Sequence, residues 1–323
     1  MHVVHASVPS RPERSRVIMT FPSDRRRCGK CSLAAIVLSL LVGVAGFAAS
    51  SVSASAGVNG LAGDMAGADA AAASVRIDYE DGTKSSGTAL RFDECCQHSI
   101  RVDDLPRTGR YSIRSDLHYG DPFASSAARV ESYTLGIPDS FYTPGDTVYY
   151  GFSIYILSTW QRDSREDIVF QWKPLPDACE SSAHGGKYPS AFLTVQPSGK
   201  WRLRVNSDAN RCSTPDSVRK VGYDLADVKP GSWHDFVFKF KWSYGSDGRI
   251  DGWHQTNKNL GWHSVLTATG PNTFNDPDST KAYLKWGIYK PAWNAGPTDV
   301  DSRMIFHDNI AVGRSFTAVN PAS

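Results

Sequence analysis

The run YLKWGIYKP, residues 283–291, carries two phenols, an ammonium and a glycine at alternate positions. In a strand, Tyr283, Lys285, Gly287 and Tyr289 share one face while Leu284, Trp286 and Ile288 share the other. A phenol can take up and return a proton, and an ammonium can neutralise an anion. A glycine between them leaves room for a ligand to approach the backbone. Two further runs offer matching groups: Arg129, Glu131 and Tyr133 share a face in SSAARVESYTLG, and Gln171 and Lys173 share one in DIVFQWK. Taken singly, each row also describes a solvated sheet face, and Arg129 with Glu131 reads equally as a surface salt bridge of little worth. Converging on one concave face, they would present guanidinium, amide, ammonium and phenol groups to a substrate that carries carboxylates. Trp253, Trp262 and Trp293 are available to stack on sugar rings, although core positions suit them as well.

The elements that must position these groups are strands. From about Ser74 onward the apolar pattern has a period of two, without sustained helical periodicity. Tyr150, Phe152, Ile154 and Ile156 form one side of YYGFSIYIL, and Ile168, Phe170 and Trp172 one side of DIVFQWK. Trp201, Leu203 and Val205 alternate with Arg202 and Arg204. Phe236, Phe238, Phe240 and Trp242 point inward, and MIFHDNIAV closes the chain. Turn signals such as PSGK, KPGS and SDGR separate the runs. Many short strands without a βαβ rhythm predict an all-β, two-sheet sandwich with one face free to hold something long.

Residues 1–56 read as an export leader. Arg25, Arg26, Arg27 and Lys30 precede the apolar stretch Leu33–Ala49, and Ala54-Ser55-Ala56 fits a cleavage site. An uncleaved anchor is the alternative, but the apolar run is short for a span. Residues 57–74 are an Ala- and Gly-rich flexible leader, and 75–323 form one domain. Removing the leader takes Lys+Arg from 35 to 28 and Asp+Glu from 33 to 31, a net charge of −3. Bulk charge therefore does not advertise a binder of polyanions, and any grip on an acidic polymer must come from a local cleft. Four cysteines remain, Cys95, Cys96, Cys179 and Cys212; export makes disulfides plausible without fixing their connectivity, and no CxxC spacing suggests zinc. Asp308 and Asn309, with Asp93 or Glu94, offer oxygen ligands suited to a structural calcium ion, though an Asx turn explains Asp308 equally.

The ordered set RVE (129–131), QWK (171–173) and YLKWGIY (283–289) resembles the jelly-roll polysaccharide lyases. Within them it is similar to the glucuronan lyase and heparin lyase I group and to the alginate lyases with a Y-F-K-A-G-x-Y strand. The similarity extends over about residues 75–316 and includes VYYGFSIYI, GSWHDFVFKFKWS and FHDNIAVG. It implies a concanavalin-like jelly roll and β-elimination at a uronic acid, with no cofactor needed for the chemistry. By resemblance, Arg129 and Gln171 would neutralise the substrate carboxylate with help from Lys173, and Tyr289 would act as base and acid. Lys285 would favour the phenolate or hold the substrate. Glu131, Tyr133, Tyr283 and His184 would bind the substrate. The family's Q-x-H histidine is Lys173 here, which disfavours substrates that need two separate proton-transfer groups; His118 or His184 could also stand in for it. The expected protein is a secreted, extracellular monomer acting on an acidic polysaccharide, with no nucleic-acid partner and no membrane contact after leader cleavage.

Two other readings use the same sandwich. A lectin or carbohydrate-binding module would need the cationic face but not Tyr289. A glycoside hydrolase would need two carboxylic acids at a defined separation, and Glu166 and Asp167 point to opposite faces of a strand. No Gly-rich phosphate loop, serine elbow or H-E-x-x-H helix is present.

Overall fold

The computed structural model describes residues 72–175, 188–275 and 282–323. Residues 1–71, which carry the expected export signal and most of the expected flexible segment, lie outside them, as do Cys179 and His184. Alternation of apolar and polar side chains produces two antiparallel sheets. In the first, β13 (Asn259–Thr269), β12 (Arg249–Thr256), β11 (Ser232–Lys241), β6 (Thr147–Ile156), β15 (Ser302–Gly313), β4 (Ser112–His118) and β3 (Ile100–Asp103) lie in that order, and β1 (Val75–Ile77) also pairs with β15. In the second, the order is β10 (Arg219–Asp227), β9 (Lys200–Ser207), β8 (Ala191–Val195), β7 (Asp167–Pro174), β14 (Ala282–Tyr289), β5 (Arg129–Tyr133) and β2 (Arg91–Asp93). The expected all-β sandwich is therefore present.

The seam between the sheets is aromatic. Phe152 of β6 stacks on Phe170 of β7 at 3.9 Å between ring centroids, and Trp172 packs edge-on against Tyr150 and Phe238. Phe236, Phe238, Phe240 and Trp242 are fully buried, as their parity requires. Each such side chain contributes roughly 1.5–3 kcal/mol by leaving water, whereas an exposed ion pair contributes about 0–1. The seam, not the charged exterior, holds the sheets together.

Two features depart from simple alternation. The register of β7 against β8 shifts between Ile168 and Phe170. This bulge turns Val169 into the core and leaves Ile168 on the opposite face, reversing their expected positions. On the outer side of the first sheet, a one-turn helix, Phe316–Val319, is capped by the Ser315 hydroxyl, which accepts from the Ala318 amide at 3.2 Å. Phe316 packs edge-on against Trp253 and Trp262. Trp253 is thus buried under this last turn and Trp262 partly so, on the first sheet. Trp293 is also buried, its indole N–H donating to Thr298 at 2.9 Å.

Candidate active site

The three expected strands are neighbours. β14 lies between β7 and β5, with Lys285 opposite Tyr133 on one side and Gln171 on the other. Gly287 faces Glu131, Tyr289 faces Arg129, and Tyr283 faces Lys173. Rows that were separate in sequence therefore form one surface on the outer face of the second sheet.

That surface is divided by access. Arg129, Ile168, Gln171, Lys173 and Tyr289 line a cleft of about 580 Å³, joined by Tyr188, Phe192, Arg204, Asn206 and Lys220. Glu166, Arg204 and Pro291 also line an adjoining groove of about 690 Å³ that continues toward Arg165 and Thr298. Among the described residues lining the first cleft are four cations and one carboxylate, Glu166, and Arg204 grips that carboxylate through Nε and an η-nitrogen at 3.0 and 2.8 Å. The described wall of the cleft is therefore cationic, although residues 57–323 as a whole carry a net charge of −3. The guanidinium of Arg129 lies over the Tyr289 ring, 4.2 Å from its centroid.

Glu131 and Lys285 do not face the cleft as free groups. Both are buried, at 1% and 4% exposure. The Lys285 ammonium sits 2.7 Å from an Asp93 oxygen and 2.8 Å from a Glu131 oxygen. Glu131 also accepts from the Gln171 amide and lies 3.4 Å from Arg129. Burial opposes the charge on Lys285, but the two carboxylates outweigh it and hold its pKa above the ordinary value. Asp93 is likewise held below its ordinary value against burial, by Lys285 and by a hydrogen bond from Ser125. The expectation that Glu131 and Lys285 meet the substrate is therefore corrected. Lys285 is four positions from Tyr289, about 13 Å along the strand, and the pair instead forms a platform. Glu131 anchors Gln171 and Arg129 from below.

Gly287 also has a different reason to be glycine. Its φ is +135°, and a Cβ there would lie 2.1 Å from the Val130 carbonyl oxygen. The space is filled by the β5 backbone, so it is not room for a ligand. Tyr133 and Tyr283 approach each other at 6.0 Å between rings, and burial raises both phenols above their ordinary pKa. Neither lines the cleft.

The oxygen ligands expected for calcium do not meet. Asp308 accepts backbone amide hydrogens from Arg107 at 2.8 Å and Asn309 at 2.7 Å. Glu94 binds Lys84 at 2.5 Å, and Asp93 belongs to the Lys285 pair. His118, a candidate stand-in for the family histidine, sits by Asp116 at 3.1 Å and outside the cleft. Cys95 and Cys96 carry free thiols, and Cys212 is disulfide-bonded.

Sequence reading missed Tyr188, Asn206 and Lys220. Lys220 lies over the Tyr188 ring at 4.5 Å, and Asn206 donates to the Pro189 carbonyl at 2.7 Å. The outward parity of Arg204 pointed toward this wall of the cleft; nothing in the local pattern singled out Tyr188, which precedes β8 outside any strand.

The polysaccharide lyase family model matches residues 79–311. Among solved structures, the endo-β-1,4-glucuronan lyase of the fungus Trichoderma reesei superposes with a TM-score of 0.63 at 21% identity, covering 77% of this chain and 98% of that one. The marine alginate lyase of Aplysia kurodai gives 0.53 at 13% identity, covering 75% and 99%. These likenesses are of fold. No curated protein sequence matches.

Proposed function

This chain belongs to the polysaccharide lyase family, and from that premise we propose that it cleaves a glucuronate- or mannuronate-type polymer by β-elimination, with Tyr289 moving the proton. The observation that carries this reading is the placement of Arg129, Gln171, Lys173 and Tyr289 around one cationic cleft. The C5 hydrogen of a uronate is weakly acidic while the neighbouring carboxylate is charged. Donors from Arg129, Gln171 and Lys173 offset that charge as the carbanion-like state develops. With Tyr289 entering the step as its phenolate, its oxygen takes the C5 proton, the C–H electron pair forms the C4–C5 double bond, and the C4–O bond breaks. The same phenol then returns its proton to the departing oxygen, so no water or other reactant is consumed. Arg129, stacked on the Tyr289 ring, is placed to offset the charge passing through it.

A single proton-transfer group serves both steps only when the C5 hydrogen and C4 oxygen lie on the same face of the sugar, as in glucuronate and mannuronate. The position that carries histidine in the resembled family is Lys173. Among the described residues lining the cleft there is no histidine, and His184 lies outside them; the same-face assignment rests on the lysine at position 173. The leader pattern at residues 25–56 supports export. No helix among the described residues is long and apolar enough to cross a membrane.

The mature protein is incubated with glucuronan, polymannuronate, polyguluronate and heparin while ultraviolet absorbance reports the new conjugated double bond. Absorbance should rise on glucuronan or polymannuronate, and Tyr289→Phe should lower the rate about 10²–10⁴-fold with polymer binding retained. Faster cleavage of polyguluronate or heparin overturns the substrate assignment. Binding without absorbance in the wild type returns the lectin reading.

A further inference from the structure

Away from the cleft, the geometry points to a transition-metal site of the zinc class formed by Cys95, Cys96, His98 and Asp121. The sequence places CCQH (95–98) just after β2 and the Asp121 carboxylate three residues beyond the end of β4, and pairing within the fold brings the two segments together. Two triads, Cys95–Cys96–Asp121 and His98–His118–Asp121, each have donor atoms within 4.8 Å of one another, and they share Asp121. One Asp121 oxygen lies 3.0 Å from His98 Nε2, and the other accepts from the Cys96 thiol at 3.8 Å. The carboxylate thus stands between sulfur and nitrogen donors.

Within each triad these spacings approach what a metal requires, and the sulfur and nitrogen donors, which fall in two groups joined by Asp121, would have to close on one ion. With bonds of about 2.0–2.3 Å, neighbouring ligand atoms around a tetrahedral zinc ion stand roughly 3.3–3.8 Å apart. The contacts now depend on thiol and imidazole protons, which are what a metal displaces when it binds. Thiolate with imidazole selects zinc-like ions over calcium or magnesium. His118 stacks on His98 at 4.6 Å between ring centroids. Behind it the buried Asp116 has an oxygen 3.1 Å from His118 Nε2 that completes no hydrogen bond. A carboxylate beside an imidazole is the partner that orients metal-site histidines, so His118, a member of the second triad, stands ready as the alternative imidazole to His98.

The site would act as a clasp. Cys95 follows Asp93 by two residues. Asp121 leads to Ser125, whose hydroxyl donates to Asp93 at 2.5 Å. Both segments that hold Asp93 against Lys285 would be pinned by one ion that touches no substrate.

The full chain is purified with thiols reduced, stripped of metal and titrated with Zn²⁺ and, separately, Co²⁺. One zinc per chain, a thiolate-to-cobalt charge-transfer band and a melting temperature raised by several degrees are expected. Cys95→Ser combined with Cys96→Ser, and Asp121→Asn, should each weaken uptake at least tenfold, while Glu94→Gln leaves it unchanged. If the cysteine variant fails to fold, the cobalt band of the wild type still decides. The assignment is overturned by a reduced wild type that takes up no zinc, by uptake that survives both variants, or by a Cys95–Cys96 disulfide in the purified chain that persists without metal.

Discussion

Lys285 and Lys290 lie five positions apart along the chain, and each is buried between two carboxylates: Asp93 and Glu131 for the first, Asp163 and Asp167 for the second. Each quartet is completed by an arginine lying over an aromatic ring. Arg129 covers Tyr289 at 4.2 Å and Arg303 covers Trp160 at 4.3 Å. Charge balance and even the stacking are the same, with Glu131 in the first quartet where the second has another aspartate; access is not. The Arg129 side chain is 18% exposed and lines the cleft, while that of Arg303 is 3% exposed and is held by Asp167 and the Gln161 carbonyl. A neutral ion quartet is thus a structural device when sealed. The same device becomes a candidate for chemistry when one cation is left at the surface with polar valence to share.

The strongest way to break this comparison is to remove the sealed arginine. Arg303→Met leaves two buried carboxylates with only Lys290, and breaking a buried pair costs about 3–5 kcal/mol. Burial already pushes the Asp167 carboxyl above its ordinary pKa despite Arg303 and Lys290. Chemical denaturation should register the loss, and an unchanged midpoint would mean the sealed quartet is not holding the fold.

A smaller effect should separate the open quartet from it. Arg129→Lys keeps the charge but loses the planar fork and its stacking. Catalysis should fall about 10²-fold, with stability altered by less than about 1 kcal/mol. Equal destabilisation by the two substitutions would erase the distinction drawn here.

Acid sharpens the contrast by drawing on a different set of groups. Burial lowers His234 and His307 to about 3 and His254 to about 4, while it raises Asp308 to about 7. As pH falls below the unfolded histidine value of 6.5, the unfolded chain takes up protons that these three buried rings refuse, so stability is lost down to about pH 4. Asp308 works in the opposite direction, because its folded carboxyl holds a proton over most of that window. Three histidines against one aspartate leave a net slope of about two protons, readable from melting temperature against pH. A flat profile between pH 6.5 and 4 would contradict it. His307 bonds the Val169 carbonyl at the β7 bulge, so protonation there should also disturb the floor of the cleft.

Strand positions and the inward parity of Phe152, Trp172, Trp201 and Phe238 were legible because burial imposes a period of two. The bulge was not: alternation in DIVFQWK puts Ile168 inward with Phe170 and Trp172, and only pairing with β8 reveals the extra residue that turns Val169 in instead. The convergence of Arg129, Gln171, Lys173 and Tyr289 was legible from motif order. The burial of Glu131 and Lys285 was not, because parity assigns a face without saying whether a neighbouring strand covers it. Asp93, the residue that does so, lies 192 positions from Lys285.

The short terminal helix has a practical bearing. Val319 sits so close to β6 that a methyl group at Gly151 would meet its carbonyl oxygen at 1.7 Å. Tyr149, Val237 and Trp253 are packed in the same cluster. Trimming from Ser315 onward would strip the roof from an aromatic patch and invite clumping. A fusion or purification handle belongs beyond Ser323, with slack enough to leave that last turn seated.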